Sequence, residues 1–330
     1  MSPEERPDRN LAIEIMRATE SAALAAARWQ GRGEKVNGDQ AAVDAMRKML
    51  DTVHMDGTVI IGEGEKDEAP MLYNGEHVGT GEPPKVDIAV DPIDGTRLLA
   101  EGRPGSLAVL AAAEDGAMFD PGPCVYMEKL VVAGEAKDAV DLDRPLEGNL
   151  DAIARASGKE VRDLTVIMLD RDRHEDAKRA VREAGARLQL ITDGDVAAGV
   201  LAAWDERPEI DLLYGIGGTP EGVSLACAIK AVDGYMLGRL WPRSDSERQA
   251  AVDGGYDLES ILTADDLVSG DDAFFACTGI TPGQLVSGVT FDPHGAVTES
   301  LVMRSKSGTV RTIRARHRFT KLRQYASVDY

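Results

Sequence analysis

The chain has 330 residues, of which 43% are hydrophobic, so it is long enough to form one large or two closely packed globular domains. Its 57 acidic residues outnumber its 37 basic residues, which gives a formal net charge of −20. This balance argues against non-specific binding to nucleic acid or to an anionic membrane, because both need a basic surface. An anionic small substrate at a locally basic site stays compatible with it.

Cysteine usage and the N-terminus bear on the compartment. Cys124, Cys227 and Cys277 are widely spaced and form no C-x-x-C pattern, which predicts buried reduced thiols of the kind found in the cytoplasm. The first residues are polar and contain no apolar segment of a secretory signal. The longest apolar stretch, residues 107–113, is too short to span a bilayer. We therefore expect a cytoplasmic protein with no membrane partner.

Two helices are predicted at the start of the chain. Apolar residues at helical spacing predict a helix over residues 9–30, and Asp39 is predicted to cap a second helix or to lie in its first turn. Strands are then predicted at residues 58–61, 86–90, 106–113 and 124–132. The first two of these strands each end in a cluster of carboxylates. The clusters are Gly62-Glu63-Gly64-Glu65-Lys66-Asp67-Glu68 and Asp91-Pro92-Ile93-Asp94-Gly95-Thr96.

The middle of the chain alternates between strands and helices. The predicted strands are residues 164–169, 187–191 and 210–214, and the predicted helices are residues 174–184, 194–204 and 223–232. This alternation is typical of βαβ units with parallel strands. Residues 273–319 return to strands. We predict a layered α/β protein of two closely packed subdomains, residues 1–145 and 146–330, and leave open whether the last strands return to the first subdomain.

Grouped carboxylates are the main candidate for a functional site. They are Asp39, Glu63, Glu65, Asp67, Asp91, Asp94 and Glu221. A single acid at a turn is most simply a solvated cap, but crowded like charges are costly unless cations compensate them. Divalent cations take oxygen ligands and neutralise a phosphate ester during hydrolysis. Gly95 allows a phosphate to approach the backbone, and Thr96 supplies a hydroxyl at a helix start, so the pattern favours metal-assisted phosphoryl chemistry.

A glycine-rich segment, residues 215–222, follows a strand and precedes a helix. It is interpreted as a structural turn, as a dinucleotide loop, or as an anion or sugar-hydroxyl site with Glu221 as a metal ligand. The third interpretation fits best, because Pro220 replaces the last glycine of the G-x-G-x-x-G fingerprint.

Charged residues also follow the strand at residues 164–169. Asp170-Arg171-Asp172-Arg173-His174 is similar to the nucleophile loop of another phosphatase class, with Asp170 as the nucleophile. We favour Arg171 and Arg173 as phosphate clamps, because a guanidinium binds phosphate bidentately, although a solvated charge run also fits. Asp193-Gly194-Asp195 ends the next strand, so its carboxylates are expected to bind sugar hydroxyls beside those arginines. A last basic segment, Arg304–Arg323, is expected to pair with acids of this chain or of a second subunit.

Together these motifs resemble one family over nearly the whole chain, the class II, GlpX-type fructose-1,6-bisphosphatases of bacteria, within the inositol monophosphatase and sugar phosphatase superfamily. The blocks that carry the resemblance are residues 35–39, 61–65, 68–72, 91–97, 126–130, 173–174, 193–197, 214–218 and 220–222. The resemblance implies an α-β-α-β-α sandwich that assembles as a homotetramer or homodimer.

The resemblance also implies an activity. It is Mg²⁺- or Mn²⁺-dependent hydrolysis of the 1-phosphate of fructose-1,6-bisphosphate to fructose-6-phosphate and phosphate, in gluconeogenesis. Sedoheptulose-1,7-bisphosphate is a further substrate in some lineages. The alternatives are an inositol-monophosphatase-like or nucleotide phosphatase, or a non-catalytic module that binds cations or anions.

The resemblance assigns site residues by position. The implied metal ligands are Asp39, Glu63, Asp91, Asp94 and Glu221. The implied substrate contacts are Asp94, Gly95, Thr96, Tyr126, Arg171, Asp172, Arg173, Asp193, Gly194, Asp195 and Gly218. The expected catalytic group is Thr96, Glu63, Asp39 and Lys35, with Thr96 accepting or orienting the proton of an attacking water. Some family members carry Glu where this chain has Asp94.

Overall fold

The structure is a computed structural model that describes residues 11–64 and 71–322. In these ranges the helices are α1 (Leu11–Ala26), α2 (Lys35–Leu50), α3 (Thr96–Glu101), α4 (Leu146–Ser157), α5 (Glu175–Glu183), α6 (Val196–Ala203), α7 (Thr219–Ala231), α8 (Asp245–Asp253), α9 (Ala264–Leu267) and α10 (Phe319–Leu322). The strands are β1 (Asp56–Ile61), β2 (His77–Val78), β3 (Lys85–Asp94), β4 (Leu107–Glu114), β5 (Tyr126–Val132), β6 (Thr165–Leu169), β7 (Arg187–Ile191), β8 (Leu212–Gly218), β9 (Tyr235–Leu240), β10 (Leu262–Thr263), β11 (Phe274–Gly279), β12 (Thr290–Asp292), β13 (Gly295–Arg304) and β14 (Thr309–Arg318). None of the described helices combines the length and the apolar character that crossing a bilayer requires.

Two sheets and three helical layers alternate. Helices α1 and α2 share one apolar core with one face of the first sheet. The opposite face of that sheet shares a second core with α6, α7 and one face of the second sheet. Helices α4 and α5 share a third core with the other face of the second sheet. The order is therefore α-β-α-β-α, which confirms the predicted layered fold.

The first sheet contains strands from both ends of the chain. Its order is β12-β13-β11-β4-β3-β1-β2, and β14 pairs with β13. Strands β1 and β3 are parallel, whereas β4 is antiparallel to both β3 and β11. Because every residue of β4 from Leu107 to Ala113 is buried, this strand is apolar on both faces.

The second sheet contains the predicted βαβ units. Its order is β10-β9-β5-β8-β6-β7, and β6 is parallel to both β7 and β8. This confirms the parallel pairing that the alternation of strands and helices predicts. Leu169 is paired with Ile191, so the loops after β6 and β7 emerge side by side.

Sheet membership changes twice along the chain, since β5 belongs to the second sheet and β11 returns to the first. The division into subdomains 1–145 and 146–330 stays a prediction.

Two of the element boundaries that differ from the prediction bear on the site. Helix α2 begins at Lys35, so Asp39 lies inside it and is neither its cap nor in its first turn. Gly38 is part of this helix, and it faces Leu99 and Trp29, where a side chain would be crowded. Strand β8 continues to Gly218, beyond the predicted strand end at residue 214, because pairing with β5 holds Gly215 to Gly218 extended.

Candidate active site

A bulge at the end of β3 places two carboxylates together. Asp91 is paired with Val109 and Asp94 with Leu107, so β3 has one residue more than β4 over this step. Residues three apart normally point to opposite faces of a strand, but one extra residue brings them to the same face. The amide of Ile93 donates to Asp91 Oδ1 at 3.0 Å, which fixes the turned segment. The bulge therefore brings the side chains of Asp91 and Asp94 to the same face of β3.

Thr96, two residues after Asp94, begins α3 and contacts α2. Gly95 has a φ of 86° and precedes the helix as its N-cap. Thr96 Oγ1 donates to Asp39 Oδ1 at 3.1 Å and lies 3.3 Å from the carbonyl oxygen of Ile93. Burial raises the pKa of Asp39, against smaller opposing effects of the Thr96 hydrogen bond and the charge of Lys35. The hydroxyl is thus held by a carboxylate that is more basic than usual.

The carboxylates of this region raise one another's pKa values. Glu63 is exposed at the rim, yet desolvation by the surrounding protein and the charge of Asp39 raise its pKa to about 7. Burial raises the pKa of Asp91 well above its usual range, and the charges of Asp94, Glu221 and Glu63 add to the effect. These are the electrostatics of acids that share one site.

Glu221 enters from the start of α7, in the other sheet's half of the site. Burial raises its pKa, although the ammonium of Lys129 opposes the shift. A Cβ on Gly218 would lie 1.7 Å from Glu221 Oε2, so the glycine leaves room for this carboxylate. Likewise, a Cβ on Gly194 would lie 3.0 Å from Asp94 Oδ1. The absence of a side chain at these two glycines therefore leaves room for two carboxylates of the site, Glu221 beside Gly218 and Asp94 beside Gly194.

The loops after β6 and β7 contribute the arginines. Arg171 Nη1 donates to the carbonyl oxygen of Thr192 at 2.6 Å, and its Nη2 lies 3.3 Å from Asp193 Oδ1. Arg173 Nη2 donates to the carbonyl oxygen of Ile216 at 2.7 Å. Hydrogen bonds to main-chain carbonyls hold both guanidinium groups in defined positions, and Arg171 also pairs with the Asp193 carboxylate.

Asp193 joins the two halves of the site. Its Oδ1 contacts Arg171 on the second sheet's side, and its Oδ2 accepts from the amide of Arg97 in α3 at 3.2 Å. The loop after β7 is thereby attached to the helix that begins at Thr96.

These groups surround a polar cavity of about 290 Å³. Its lining includes Asp91, Asp94, Gly95, Thr96, Tyr126, Arg171, Arg173, Asp193, Gly194, Asp195, Gly218 and Glu221. Four other predicted site residues, Lys35, Asp39, Glu63 and Asp172, are not part of the lining. Asp39 accepts a hydrogen bond from the lining residue Thr96, and the charge of Glu63 raises the pKa of the lining residue Asp91. Lys35 and Asp172 are exposed. A larger, mostly apolar cavity of about 440 Å³ lies behind Asp193 and Gly194 and lacks the carboxylate cluster.

The chemistry of the carboxylates fits divalent cations. Asp94 is buried, and its Oδ2 has no hydrogen-bond partner among the described residues. An unpartnered buried carboxylate oxygen is a suitable ligand for a hard cation. As they stand, no three Cys, His, Asp or Glu side chains within residues 11–64 and 71–322 form a ready metal cage. Glu65 and Asp67, also considered from the sequence, lie outside the described residues.

One important residue was missed from the sequence. Lys129 is 1% exposed, forms a 2.6 Å ion pair with Asp195 and donates to the carbonyl oxygen of Gly218 at 3.1 Å. Its charge also lowers the pKa values of Asp94 and Glu221, in opposition to burial. The signal was available, because a lysine inside the apolar strand β5 is buried only when it is paired.

Known proteins are similar to this chain in sequence. A family model described as bacterial fructose-1,6-bisphosphatase, glpX-encoded, matches residues 9–317. The chain belongs to this family. It is 47% identical over 322 residues, 94% of this chain and 95% of the relative, to fructose-1,6-bisphosphatase 1 class 2 of Escherichia coli strain K12. The same values hold for fructose-1,6-bisphosphatase class 2 of Escherichia coli O6:H1 strain CFT073 and of Shigella flexneri.

Membership of the glpX-encoded fructose-1,6-bisphosphatase family confirms the predicted resemblance. It also confirms the predicted class of enzyme, a phosphoric monoester hydrolase.

Proposed function

We propose that this protein hydrolyses the 1-phosphate of fructose-1,6-bisphosphate to give fructose-6-phosphate and phosphate, the gluconeogenic direction. The observation that carries the proposal is a single cavity with carboxylates (Asp91, Asp94, Glu221) and arginines (Arg171, Arg173) in its wall. A bisphosphate suits this lining, because one phosphate meets the carboxylate-bound cations while the other meets the guanidinium groups.

Mg²⁺ or Mn²⁺ is the proposed cofactor, held by the carboxylates of Asp39, Glu63, Asp91, Asp94 and Glu221. When bound, such cations neutralise phosphate charge and lower the pKa of water. The acids differ in burial, from the exposed Glu63 to the buried Asp94.

Thr96 is proposed to orient the attacking water. Because its Oγ1–H donates to Asp39, the oxygen's lone pairs stay available to accept a proton from water. Glu63, which stands beside Asp39, completes the proposed catalytic group, and Lys35 contributes its positive charge to Asp39 from the start of α2.

The geometry favours water over Asp170 as the nucleophile. Asp170 Oδ1 accepts from Lys178 Nζ at 2.8 Å, and Asp170 does not line the cavity. The ammonium also lowers the pKa of this carboxyl. A carboxylate that is paired with Lys178 and is not part of the cavity lining is poorly placed to attack phosphorus.

The remaining cavity residues are proposed to bind the sugar and its distant phosphate. Arg171 and Arg173 hold the 6-phosphate, and Asp193 and Asp195 accept hydrogen bonds from sugar hydroxyls. Binding energy from the distant phosphate then positions the reacting one.

Phosphate release measures the proposed activity directly. The purified protein should release phosphate from fructose-1,6-bisphosphate with Mg²⁺ or Mn²⁺ and lose this activity with EDTA. Sedoheptulose-1,7-bisphosphate, inositol monophosphates and nucleotides complete the panel, since they represent a second substrate and the two alternative phosphatases. No phosphate release from any substrate of the panel would favour a non-catalytic binding module instead.

We also propose a cytoplasmic homo-oligomer, a dimer or a tetramer. All three cysteines are buried and free, as in a reducing compartment. Among the described strands, β14 pairs with β13 alone, so ten residues form a sheet edge. Arg316 pairs with Asp292 at 2.6 Å, whereas Arg314 and Arg318 are exposed. Light scattering of the purified protein tests this proposal, and a mass of 35.3 kDa would contradict it.

A further inference from the structure

Two arginine side chains contact the aromatic ring of Tyr126. Tyr126 begins β5 and lines the polar cavity. The guanidinium carbon of Arg173 lies 4.9 Å from the ring centroid, and that of Arg243 lies 5.4 Å from it. The side chain of Trp241 adjoins the same ring, with centroids 6.5 Å apart. Arg243 therefore shares the ring of Tyr126 with Arg173, a residue of the cavity lining, although no sequence motif pointed to it.

Glu247 determines where the Arg243 side chain points. Its Oε1 accepts from Arg243 Nε at 2.7 Å and also contacts Nη2, while its Oε2 accepts from the Arg243 amide at 2.7 Å. Arg243 Nη1 has no partner among the described residues, and the side chain is 48% exposed. A guanidinium in this position is oriented on one side and open on the other, so two N–H donors remain for a ligand.

A purely structural role for the guanidinium explains less. Helix α8 is already capped without it, because Ser244 Oγ accepts from the Glu247 amide and Glu247 accepts from the Arg243 amide. The other two arginines are partly engaged, Arg171 with Thr192 and Asp193, and Arg173 with Ile216. A dianionic phosphate has several acceptor oxygens, so it can use a further guanidinium donor beside these two.

We infer that Arg243 is a third arginine of the subsite for the distant phosphate, and that it makes the enzyme prefer sugar bisphosphates to sugar monophosphates. The inference rests on the proposed function. Its basis is the shared contact of Arg173 and Arg243 with Tyr126.

The test compares a substrate that has the distant phosphate with one that lacks it. For Arg243→Gln, we expect KM for fructose-1,6-bisphosphate to rise about 10- to 100-fold with kcat within about threefold, the loss typical of a charge-assisted hydrogen bond. For fructose-1-phosphate, kcat/KM should stay at the wild-type value. The inhibition constant of fructose-6-phosphate, a competitive inhibitor, should rise by the same factor as KM. The inhibition constant of inorganic phosphate should rise by a smaller factor.

Two further variants control for charge and for folding. Arg248→Gln removes an exposed arginine from α8, the helix that follows Arg243, and should leave both substrates unaffected. Arg243→Lys keeps the charge and should recover part of the affinity, which a loss of folding would not allow. Equal losses for both substrates, or none for either, would overturn the inference. A wild-type protein that does not act on fructose-1,6-bisphosphate would instead overturn the proposed function.

Discussion

The hydroxyl of Thr96 is a polar group in the site whose partner suggests its role. It donates to Asp39, and Thr96 lies two residues after Asp94, the last residue of the β3 bulge. A serine in the same position would keep the donor and the acceptor, whereas alanine would remove both. This contrast separates water activation from packing.

Thr96→Ala should therefore lower kcat about 10²- to 10⁴-fold, the usual contribution of a positioned proton acceptor, with a much smaller change in KM. Steady-state kinetics on fructose-1,6-bisphosphate at saturating cation measures both constants. Thr96→Ser is the matched control and should retain most of the activity. An unchanged kcat in the alanine variant would remove Thr96 from the proton transfer.

A second residue-scale prediction concerns His174, which is 3% exposed. Its Nε2 accepts from the Ile216 amide at 2.8 Å, so Nδ1 carries the proton and donates to the carbonyl oxygen of Leu169 at 2.7 Å. Burial lowers its pKa below the usual 6.5. The neutral imidazole thus contributes stability that is present above pH 6.5 and is lost as the pH falls towards the folded-state pKa.

Wild type and His174→Gln should accordingly differ more in their free energy of unfolding at pH 7 than at pH 5, by at most about 1.4 kcal/mol per pH unit. Denaturant titrations across this range measure the difference. A pH-independent difference would show that His174 is not buried in its neutral form.

At the scale of elements, the end of β8 and the start of α7 determine where Glu221 lies. Gly218 has ordinary extended φ and ψ values of −65° and 138°, so alanine there would cause no backbone strain. Its Cβ would nevertheless overlap the Glu221 carboxylate. The position thus separates a local effect on a proposed metal ligand from an effect on the fold.

Gly218→Ala should fold normally but need an about 10- to 100-fold higher Mg²⁺ or Mn²⁺ concentration for half-maximal activity, the range seen when the surroundings of a ligand change. Calorimetric titration of the cation gives the same affinity without catalysis. Gly283→Ala is the control, because its Cβ would meet its nearest neighbour at an ordinary 3.4 Å. Equal cation requirements in both variants would contradict the proposed role of Glu221.

The elements also show what the sequence could predict. Strands β6 and β7 were predicted to lie side by side, since alternating strands and helices form parallel neighbours. The bulge at Asp91–Asp94 was not, because it depends on the register with β4, a contact between distant residues. The glycine-rich residues 215–218 lie beyond the predicted end of their strand, because glycine favours turns, but pairing with β5 makes them part of β8. Lys129 was missed because its partner Asp195 is distant in sequence.

At the scale of the whole molecule, the site draws on both sheets, with Asp193 attached to α3 on one side and to Arg171 on the other. Cations held between the two halves would therefore bind the folded state only. At a concentration 100 times the dissociation constant, Mg²⁺ or Mn²⁺ should raise the free energy of unfolding by about 2.7 kcal/mol. Denaturant unfolding with the cation, with EDTA and with K⁺ at matched ionic strength measures this gain. No difference between the cation and EDTA would contradict a metal site.

The return of β11 to the first sheet has a consequence for biosynthesis. Strand β4 leaves the ribosome about 160 residues before β11, its partner on one side. At 5–20 residues per second this interval lasts roughly 10–30 s. During that time the nascent chain carries an apolar strand with one open edge, which is a template for pairing with other chains. The architecture that joins the two ends of the chain thus makes its first half depend on protection during translation.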